Sequence, residues 1–215
     1  MHRDELLQQV VDAGIVAIVR SSHGEHLVEL ARALLAGGVR IIELTFTVPD
    51  ALEVLRQVRA ALGESIVLGA GTVLDAPTAR AAILAGAEFI VAPTLNLEVI
   101  ALCRRYGKLA MPGAFSPTEI LAAYEAGADL VKVFPAEMLG PAYLKALRAP
   151  LPQVRLMPTG GVDLHNLADY FRAGAACVGV GSQLVEPQAS QRRDWARISE
   201  LAGQYVAAVR SARAS

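Results

Sequence analysis

The stretch that decides the fold is Leu130-Val-Lys-Val-Phe-Pro-Ala-Glu137. Its β-branched and apolar residues predict a β-strand, and its proline ends the strand because proline cannot donate to a ladder. Alternation places Leu130, Lys132 and Phe134 on one face and two valines on the other. Both faces are apolar, which is typical of a parallel sheet covered by helices. An ammonium group at Lys132 therefore needs a partner, has to lose its proton, or has a chemical role.

Strand patterns alternate with helix patterns along all 215 residues. The predicted strands cover 14–20, 39–45, 66–72, 89–93, 109–113, the stretch from Leu130, 154–158 and 176–180. The predicted helices include 3–13 before the first strand and a long one over 190–211 after the last. Ala-Gly pairs end helices at 36–38, 85–87, 126–128 and 173–175, two units apart each time. The sequence therefore predicts a single (β/α)8 TIM barrel over residues 1–215, with an extra N-terminal helix.

Composition narrows the functional classes. Hydrophobic residues make up 53% and charged residues 19% of the chain, against about 45–50% and about 25% in typical soluble domains, so much of the chain is buried. A net charge of −1 gives no footprint for nucleic acid. No apolar run approaches the roughly 20 residues that span a membrane, and the N-terminus has no apolar signal core. Two cysteines without CxxC spacing are typical of reduced, buried thiols, and we expect a cytoplasmic protein.

Two charged residues interrupt apolar strands. A lysine at a strand end can extend its ammonium to water, but the ends of strands also build the active site of a TIM barrel. Glu43 interrupts Ile41-Ile-Glu-Leu-Thr45 in the same way. Predicted strands two and six are both even, so Glu43 and Lys132 can point into one layer of the interior. Because desolvation offsets the attraction in a buried ion pair, we favour a nucleophile with its acid/base over a structural pair.

Two glycine-rich turns predict an anion site. The predicted strands seven and eight end in Pro158-Thr-Gly-Gly161 and Gly179-Val-Gly-Ser182. Barrels often bind phosphate at these two loops through exposed backbone N–H groups. The predicted phosphate-binding residues are Gly160, Gly161, Gly181 and Ser182.

Further polar residues close other strands. Arg20 ends strand one and Thr72 ends strand three, so each is either a ligand for a carboxylate or an ordinary strand-end residue. Pro93 is expected to end strand four.

The histidines all fall outside the predicted strands, namely His2, His23, His26 and His165. No cluster has ligand spacing, so no metal is predicted.

Taken together, these motifs identify a resemblance that covers nearly the whole chain. The matching segments are Gly37-Gly-Val39 with Ile42-Glu43, Gly69-Ala-Gly-Thr-Val73, Ala92-Pro93, Met111-Pro-Gly113, Val131-Lys-Val-Phe-Pro-Ala-Glu137 and Pro158-Thr-Gly-Gly161. The chain resembles the 2-keto-3-deoxy-6-phosphogluconate (KDPG) / 2-keto-4-hydroxyglutarate (KHG) aldolase family. The resemblance implies a metal-independent class I aldolase that needs no cofactor and is usually a homotrimer of barrels.

The resemblance also implies roles for individual residues. Lys132 matches the Schiff-base lysine and Glu43 the general acid/base. The implied substrate-binding and phosphate-binding residues include Thr72 for pyruvate, Thr159 for stereochemistry, and Gly160, Gly161 and Ser182 for phosphate. Pro93 and Phe134 lie in the matching segments and join the substrate-binding candidates.

One position departs from the family pattern. Many members carry a carboxylate-binding arginine four residues after the glutamate, where this chain has Thr47. Thr47 stays a substrate-binding candidate by position. We predict that Arg20 supplies the missing cation, because a carboxylate needs a fork-shaped donor.

The implied activity is cleavage of KDPG to pyruvate and glyceraldehyde 3-phosphate, and also of 4-hydroxy-2-oxoglutarate to pyruvate and glyoxylate. A 2-dehydro-3-deoxy-6-phosphogalactonate aldolase is the alternative within the family, since such enzymes also use an arginine at the end of strand one. A phosphosugar epimerase or isomerase, or a non-catalytic phosphate-binding or scaffold barrel, are alternatives from other classes. For the aldolase, the expected partner is a small-molecule 2-keto acid phosphate, with no nucleic acid and no membrane.

Overall fold

The computed structural model describes residues 2–22 and 24–214, so Met1, Ser215 and the predicted loop residue His23 lie outside the described residues. The helices are α1 (Arg3–Ala13), α2 (Leu27–Ala36), α3 (Ala51–Leu62), α4 (Ala76–Leu84), α5 (Leu97–Arg105), α6 (Pro117–Glu125), α7 (Gly140–Arg148), α8 (Leu167–Arg172), α9 (Pro187–Gln191) and α10 (Trp195–Ala214). The strands are β1 (Ile15–Val19), β2 (Ile41–Thr45), β3 (Val67–Gly71), β4 (Phe89–Val91), β5 (Leu109–Met111), β6 (Gly113–Ala114), β7 (Val131–Val133), β8 (Leu156–Pro158) and β9 (Val178–Val180). Within the described ranges, no helix is both long and apolar enough to cross a membrane.

The strands form two parallel sheets, ordered β5-β4-β3-β2-β1-β9 and β6-β7-β8. Backbone contacts join the two sheets at both borders. At one border, Thr159 and Gly179 form a parallel bridge. At the other, the Asp129 N–H group, just before β7, donates to the Ala110 carbonyl of β5 at 2.9 Å. The architecture is therefore an α/β fold with curled parallel sheets and helices on the outside.

Two predicted elements are divided in the structure. The predicted strand over 109–113 is split at Pro112, which has no N–H group to donate to a neighbouring strand. The predicted helix over 190–211 is split between α9 and α10, and Arg193 there has a φ of 57°, which no α-helix accepts. The remaining predicted helices and strands lie where the sequence places them, with ends shifted by a few residues.

Buried side chains alternate between an outer cluster, under the helices, and an inner cluster inside the curl of the strands. On β7, Val131 and Val133 belong to the outer cluster. The inner cluster holds Val16, Ile41, Val67, Phe89, Val91, Leu109, Met111, Leu130, Met157 and Cys177. Leu6 and Val10 of α1 belong to it as well. Because Ile41 and Val67 are the first residues of their strands, α1 packs across the amino ends of the strands.

The repeated Ala-Gly pairs end their helices as predicted. One glycine at each of these four helix ends has a φ between 92° and 108°, a range that side chains rarely adopt (Gly38, Gly86, Gly127 and Gly174). The predicted capping box before α6 is also present: Ser116 Oγ accepts from the Glu119 N–H group and Glu119 Oε2 accepts from the Ser116 N–H group. Both signals set the register of the helices against the strands that follow or precede them.

Candidate active site

Lys132 is a buried lysine in the middle of β7, with 5% of its surface exposed. Its neighbours Val131 and Val133 face the helices, so its side chain points to the inside of the curl, as the alternation predicts. Its Nζ atom lies 5.0 Å from the centre of the Phe134 ring, which is close enough for a cation–π contact. The strand therefore presents an amine to the interior and not to water.

Glu43 lies in the middle of β2 and is completely buried. Neither carboxyl oxygen has a hydrogen-bond partner among the described residues. Burial raises the pKa of the Glu43 carboxyl, while the charges of Lys132 and Arg20 act in the opposite direction. These three groups thus lie within electrostatic range of one another. A buried, unpaired carboxyl group with a perturbed pKa is a candidate for a proton-transfer role.

Gly71 makes the room that the Glu43 carboxyl group occupies. A Cβ atom built on Gly71 would collide with Glu43 Oε1, Cδ and Cγ. The glycine is the last residue of β3, the strand that pairs directly with β2. The Gly69-Ala-Gly71 pattern therefore has a packing reason, which sequence reasoning recorded only as part of a motif.

A cavity of about 420 Å³ opens beside Lys132. It collects most of the predicted site residues, namely Arg20, Lys132, Phe134, Thr159, Gly160, Gly161, Gly181 and Ser182. Lys132 and Thr159 are buried at its inner part, whereas Gly161 and Ser182 are exposed at its mouth. A ligand that reaches the amine therefore passes, or keeps its outer part on, the glycine loops.

The glycine loops can present bare backbone to a ligand. Gly160 and Gly161 have φ values of 94° and 70°, so this turn requires glycine. Nothing lies within 4 Å of the position where a Cβ of Gly181 would be, so its backbone faces open space. Gly179 is required for a different reason, because a Cβ atom there would collide with Thr159 Oγ1. N–H groups in such turns suit an oxyanion.

Three predicted substrate-binding residues do not line this cavity. Thr47 is exposed, and its Oγ1 atom lies 2.7 Å from Thr45 Oγ1. Thr72 and Pro93 are half-buried, and Thr72 has a φ of 58°, an unusual value for a β-branched residue. Their substrate-binding roles stay predictions.

Several lining residues were not selected from the sequence: Ile18, Glu137, Val162, Gly179, Gln183, Val185 and Pro187. Glu137 lies in the stretch that decides the fold, but the sequence analysis assigned it no role. Its position directly after Phe134-Pro-Ala was the available signal. Among the described residues, no group of three or more His, Cys, Asp or Glu side chains is arranged to hold a metal ion.

Comparison with known proteins agrees with this geometry. The family model for KDPG and KHG aldolase matches residues 6–201. The chain belongs to this family. This aldolase-family chain is 39% identical to the 2-dehydro-3-deoxy-phosphogluconate aldolase of Treponema pallidum over 193 residues, which cover 89% of the chain and 91% of the relative. It is 33% identical to the 2-dehydro-3-deoxy-6-phosphogalactonate aldolase of Escherichia coli over 199 residues, which cover 92% and 95%.

A solved structure also resembles the family member described here. It is the KDPG aldolase of Legionella pneumophila, with pyruvate captured as a covalent carbinolamine intermediate. The two chains are 28% identical, the match covers 94% of this chain and 97% of the other, and the TM-score is 0.86.

Proposed function

We propose that this chain is a class I aldolase that cleaves 2-dehydro-3-deoxy-6-phosphogluconate to pyruvate and glyceraldehyde 3-phosphate. The observation that carries the proposal is the buried Lys132 amine at the inner part of a cavity whose mouth is lined by Gly160 and Gly161. A 2-keto acid needs an amine at C2, and its distal phosphate needs N–H donors. The cavity offers both, in that order from inside to outside.

Lys132 is the proposed nucleophile. The neutral amine attacks the C2 ketone to give a carbinolamine, which loses water to become an iminium. Glu43, through a water, then takes the proton of the C4 hydroxyl group. The C3–C4 bond breaks, its electron pair moves into the iminium to give an enamine, and the aldehyde leaves. Protonation of C3 and hydrolysis of the iminium release pyruvate and restore Lys132.

Arg20 is the proposed partner for the keto-acid carboxylate. It lines the same cavity as Lys132, and its charge acts on Glu43. Thr47, at the position of the usual family arginine, is exposed and outside the lining. Thr72, Pro93 and Phe134 are proposed to shape the pyruvate side of the site.

The other end of the substrate rests on the glycine loops in this proposal. Thr159 contacts the middle of the substrate and influences its stereochemistry. The N–H groups of Gly160, Gly161 and Gly181, with the Ser182 hydroxyl, hold the phosphate.

The close alternative is cleavage of 2-dehydro-3-deoxy-6-phosphogalactonate. It is supported by the similarity to the E. coli enzyme and by Arg20 at the end of the first strand. Cleavage of 4-hydroxy-2-oxoglutarate is a proposed second activity. A phosphosugar epimerase or isomerase on the same scaffold is less well supported, since it has no use for Lys132 as a nucleophile.

The architecture and assembly complete the proposal. A single closed (β/α)8 barrel over residues 1–215 is supported by the backbone contacts at both sheet borders. A homotrimer is supported by the family resemblance and by large apolar side chains that a single copy leaves exposed, among them Leu74, Leu97, Phe115, Leu121 and Met138. The two buried free cysteines, Cys103 and Cys177, fit the cytoplasm.

Covalent trapping tests the mechanism. Borohydride with pyruvate should reduce an adduct onto Lys132, which peptide mass spectrometry locates, and Lys132→Arg should leave no adduct. Pyruvate release from the gluconate, galactonate and hydroxyglutarate substrates, compared side by side, tests the substrate. An unmodified Lys132 peptide, or activity lost in EDTA, would overturn the metal-independent Schiff-base mechanism.

A further inference from the structure

Glu137 is a carboxylate in a cavity that is otherwise built for anions. It is the only acidic side chain among the described residues that line the cavity, where Arg20 supplies positive charge. Glu137 is exposed, and its carboxyl group makes no hydrogen bond or ion pair with any described residue. Its charge is therefore free to act on a ligand in the cavity.

The Glu137 side chain stands directly beside the phosphate-binding turn. A Cβ atom built on Gly161 would collide with Glu137 Cβ and lie 2.9 Å from Glu137 Oε2. The carboxylate thus lies close to the Gly161 backbone, and only glycine at 161 leaves it room.

Backbone bonds fix this placement from both sides. Glu137 belongs to the short 3₁₀ turn Ala136–Met138, and the Ala136 N–H group donates to the Thr159 carbonyl at 2.8 Å. The Asn166 side chain donates to the Gly161 carbonyl at 2.7 Å. The turn that carries Glu137 is therefore tied to the strand end that carries Thr159. The carboxylate lies beside the glycine loop at the mouth of the cavity whose inner part holds the amine.

The two proposed substrates differ at the part of the molecule that lies between these ends. The phosphorylated sugar acid carries a C5 hydroxyl group there, and a carboxylate accepts a hydrogen bond from a hydroxyl group. The C5 atom of 4-hydroxy-2-oxoglutarate is itself a carboxylate, which Glu137 repels. The phosphate of the sugar acid is compensated by the N–H groups of the loops, whereas a C5 carboxylate does not reach as far.

We propose that Glu137 is a specificity-determining residue that favours hydroxylated phosphate substrates over dicarboxylates. This inference rests on the proposed aldolase function. Two unit charges 4 Å apart in water interact by about 1 kcal/mol, which corresponds to roughly a fivefold difference in kcat/KM. A cavity that is less polar than water makes the difference larger.

The test compares wild type with Glu137→Gln on KDPG and on 4-hydroxy-2-oxoglutarate. The variant should raise kcat/KM for 4-hydroxy-2-oxoglutarate by about fivefold or more, and change kcat/KM for KDPG by less. Added salt should narrow the difference in kcat/KM on the dicarboxylate between wild type and the variant, because salt screens the repulsion that only wild type has. A role of Glu137 in stability alone would not give this salt dependence.

Glu64→Gln is the matched control, because Glu64 is exposed in the 3₁₀ turn Gly63–Ser65 and does not line the cavity. It should leave both substrates unchanged. The inference would be overturned if Glu137→Gln changed kcat/KM equally for both substrates, or changed neither value. It would also be overturned if neither wild type nor Glu137→Gln cleaved 4-hydroxy-2-oxoglutarate. If wild type cleaves neither substrate nor the galactonate epimer, the proposed function itself fails.

Discussion

Gly71 and Glu43 share one space inside the curled sheets: the carboxyl group of Glu43 fills the position that a Cβ atom of residue 71 would take. The two residues stand on directly paired strands, with Thr45 of β2 opposite Gly71 of β3. The placement of the proposed acid/base therefore depends on a residue that has no side chain.

Gly71→Ala should displace Glu43 and lower kcat by about 100-fold, the effect that a shift of about 1 Å can have on a reacting group. Overpacking should also cost about 1–3 kcal/mol of stability. Steady-state kinetics and urea unfolding check both numbers. Gly203→Ala on α10 is the control, since nothing lies closer than 3.9 Å to its Cβ position. Equal kcat values in the two variants would contradict the packing argument.

Glu43→Gln should lower kcat by about 10²–10⁴-fold, the range for a lost general acid or base. The same variant should be more stable than wild type at alkaline pH. Burial raises the folded-state pKa of Glu43 above its usual value of 4.5. The wild-type stability that comes from the protonated group is present below that value and is lost as pH rises through the folded pKa.

Urea unfolding of wild type and Glu43→Gln from pH 4 to pH 9 measures this difference. It should be small near pH 4 and grow as pH rises, because the amide cannot ionise inside the protein. Glu64→Gln, at an exposed position, should follow wild type at every pH. A constant difference across the range would mean that Glu43 titrates at its usual value.

Arg20→Ala should weaken pyruvate binding by about 10–100-fold, as expected when a hydrogen bond to a charged group worth about 1.5–3 kcal/mol is lost. The concentration of pyruvate that half-saturates borohydride trapping on Lys132 measures it. Thr47→Ala serves as the control, because Thr47 is exposed and outside the cavity lining. If Thr47→Ala weakened pyruvate binding more than Arg20→Ala, the assignment of the carboxylate partner would be reversed.

Arg3→Gln should destabilise the fold by about 1–3 kcal/mol, because it leaves a buried carboxylate without its cation. Arg3 Nη2 lies 2.8 Å from Asp129 Oδ1, and only 5% of the Asp129 side chain is exposed. Asp129 Oδ2 also accepts from the Ala110 N–H group at 2.8 Å. The pair thus ties α1 to the start of β7.

Arg56→Gln provides the comparison, because the Arg56–Glu53 pair on α3 has 57% of each side chain exposed. Exposed pairs contribute about 0–1 kcal/mol, so this variant should unfold at nearly the wild-type urea concentration. Two equal losses in urea unfolding would show that burial of Asp129 adds nothing to the pair.

Periodicity predicted the order of strands and helices because each strand is buried on both faces and each helix shows one apolar stripe. It also predicted that Lys132 points inward, since the faces of a strand alternate strictly. The break at Pro112 was not predicted because the residues on either side are extended, so the apolar pattern continues through the proline. The break between α9 and α10 was not predicted because an arginine side chain gives no signal for a positive φ such as that of Arg193.

The site was harder to predict than the fold because it depends on distances between residues far apart in sequence. Arg20, Lys132 and Ser182 lie on different strands or loops and line one cavity. The sequence related them only through the predicted order of the strands. The collision that makes Gly71 necessary needs coordinates. So does the position of Glu137, whose residue type points away from an anion site.

The packing of α1 has a consequence for the order of events in catalysis. Leu6 and Val10 cover the amino ends of the strands, and the cavity beside Lys132 opens on the side of Ser182. In the proposed reaction, the substrate enters and both products leave through this opening. In the proposed reaction the phosphorylated aldehyde is nearest to the opening and is expected to leave first, because pyruvate is still bound to Lys132. Such a cavity favours ordered product release, in which pyruvate leaves last and the next sugar acid enters only after pyruvate has left.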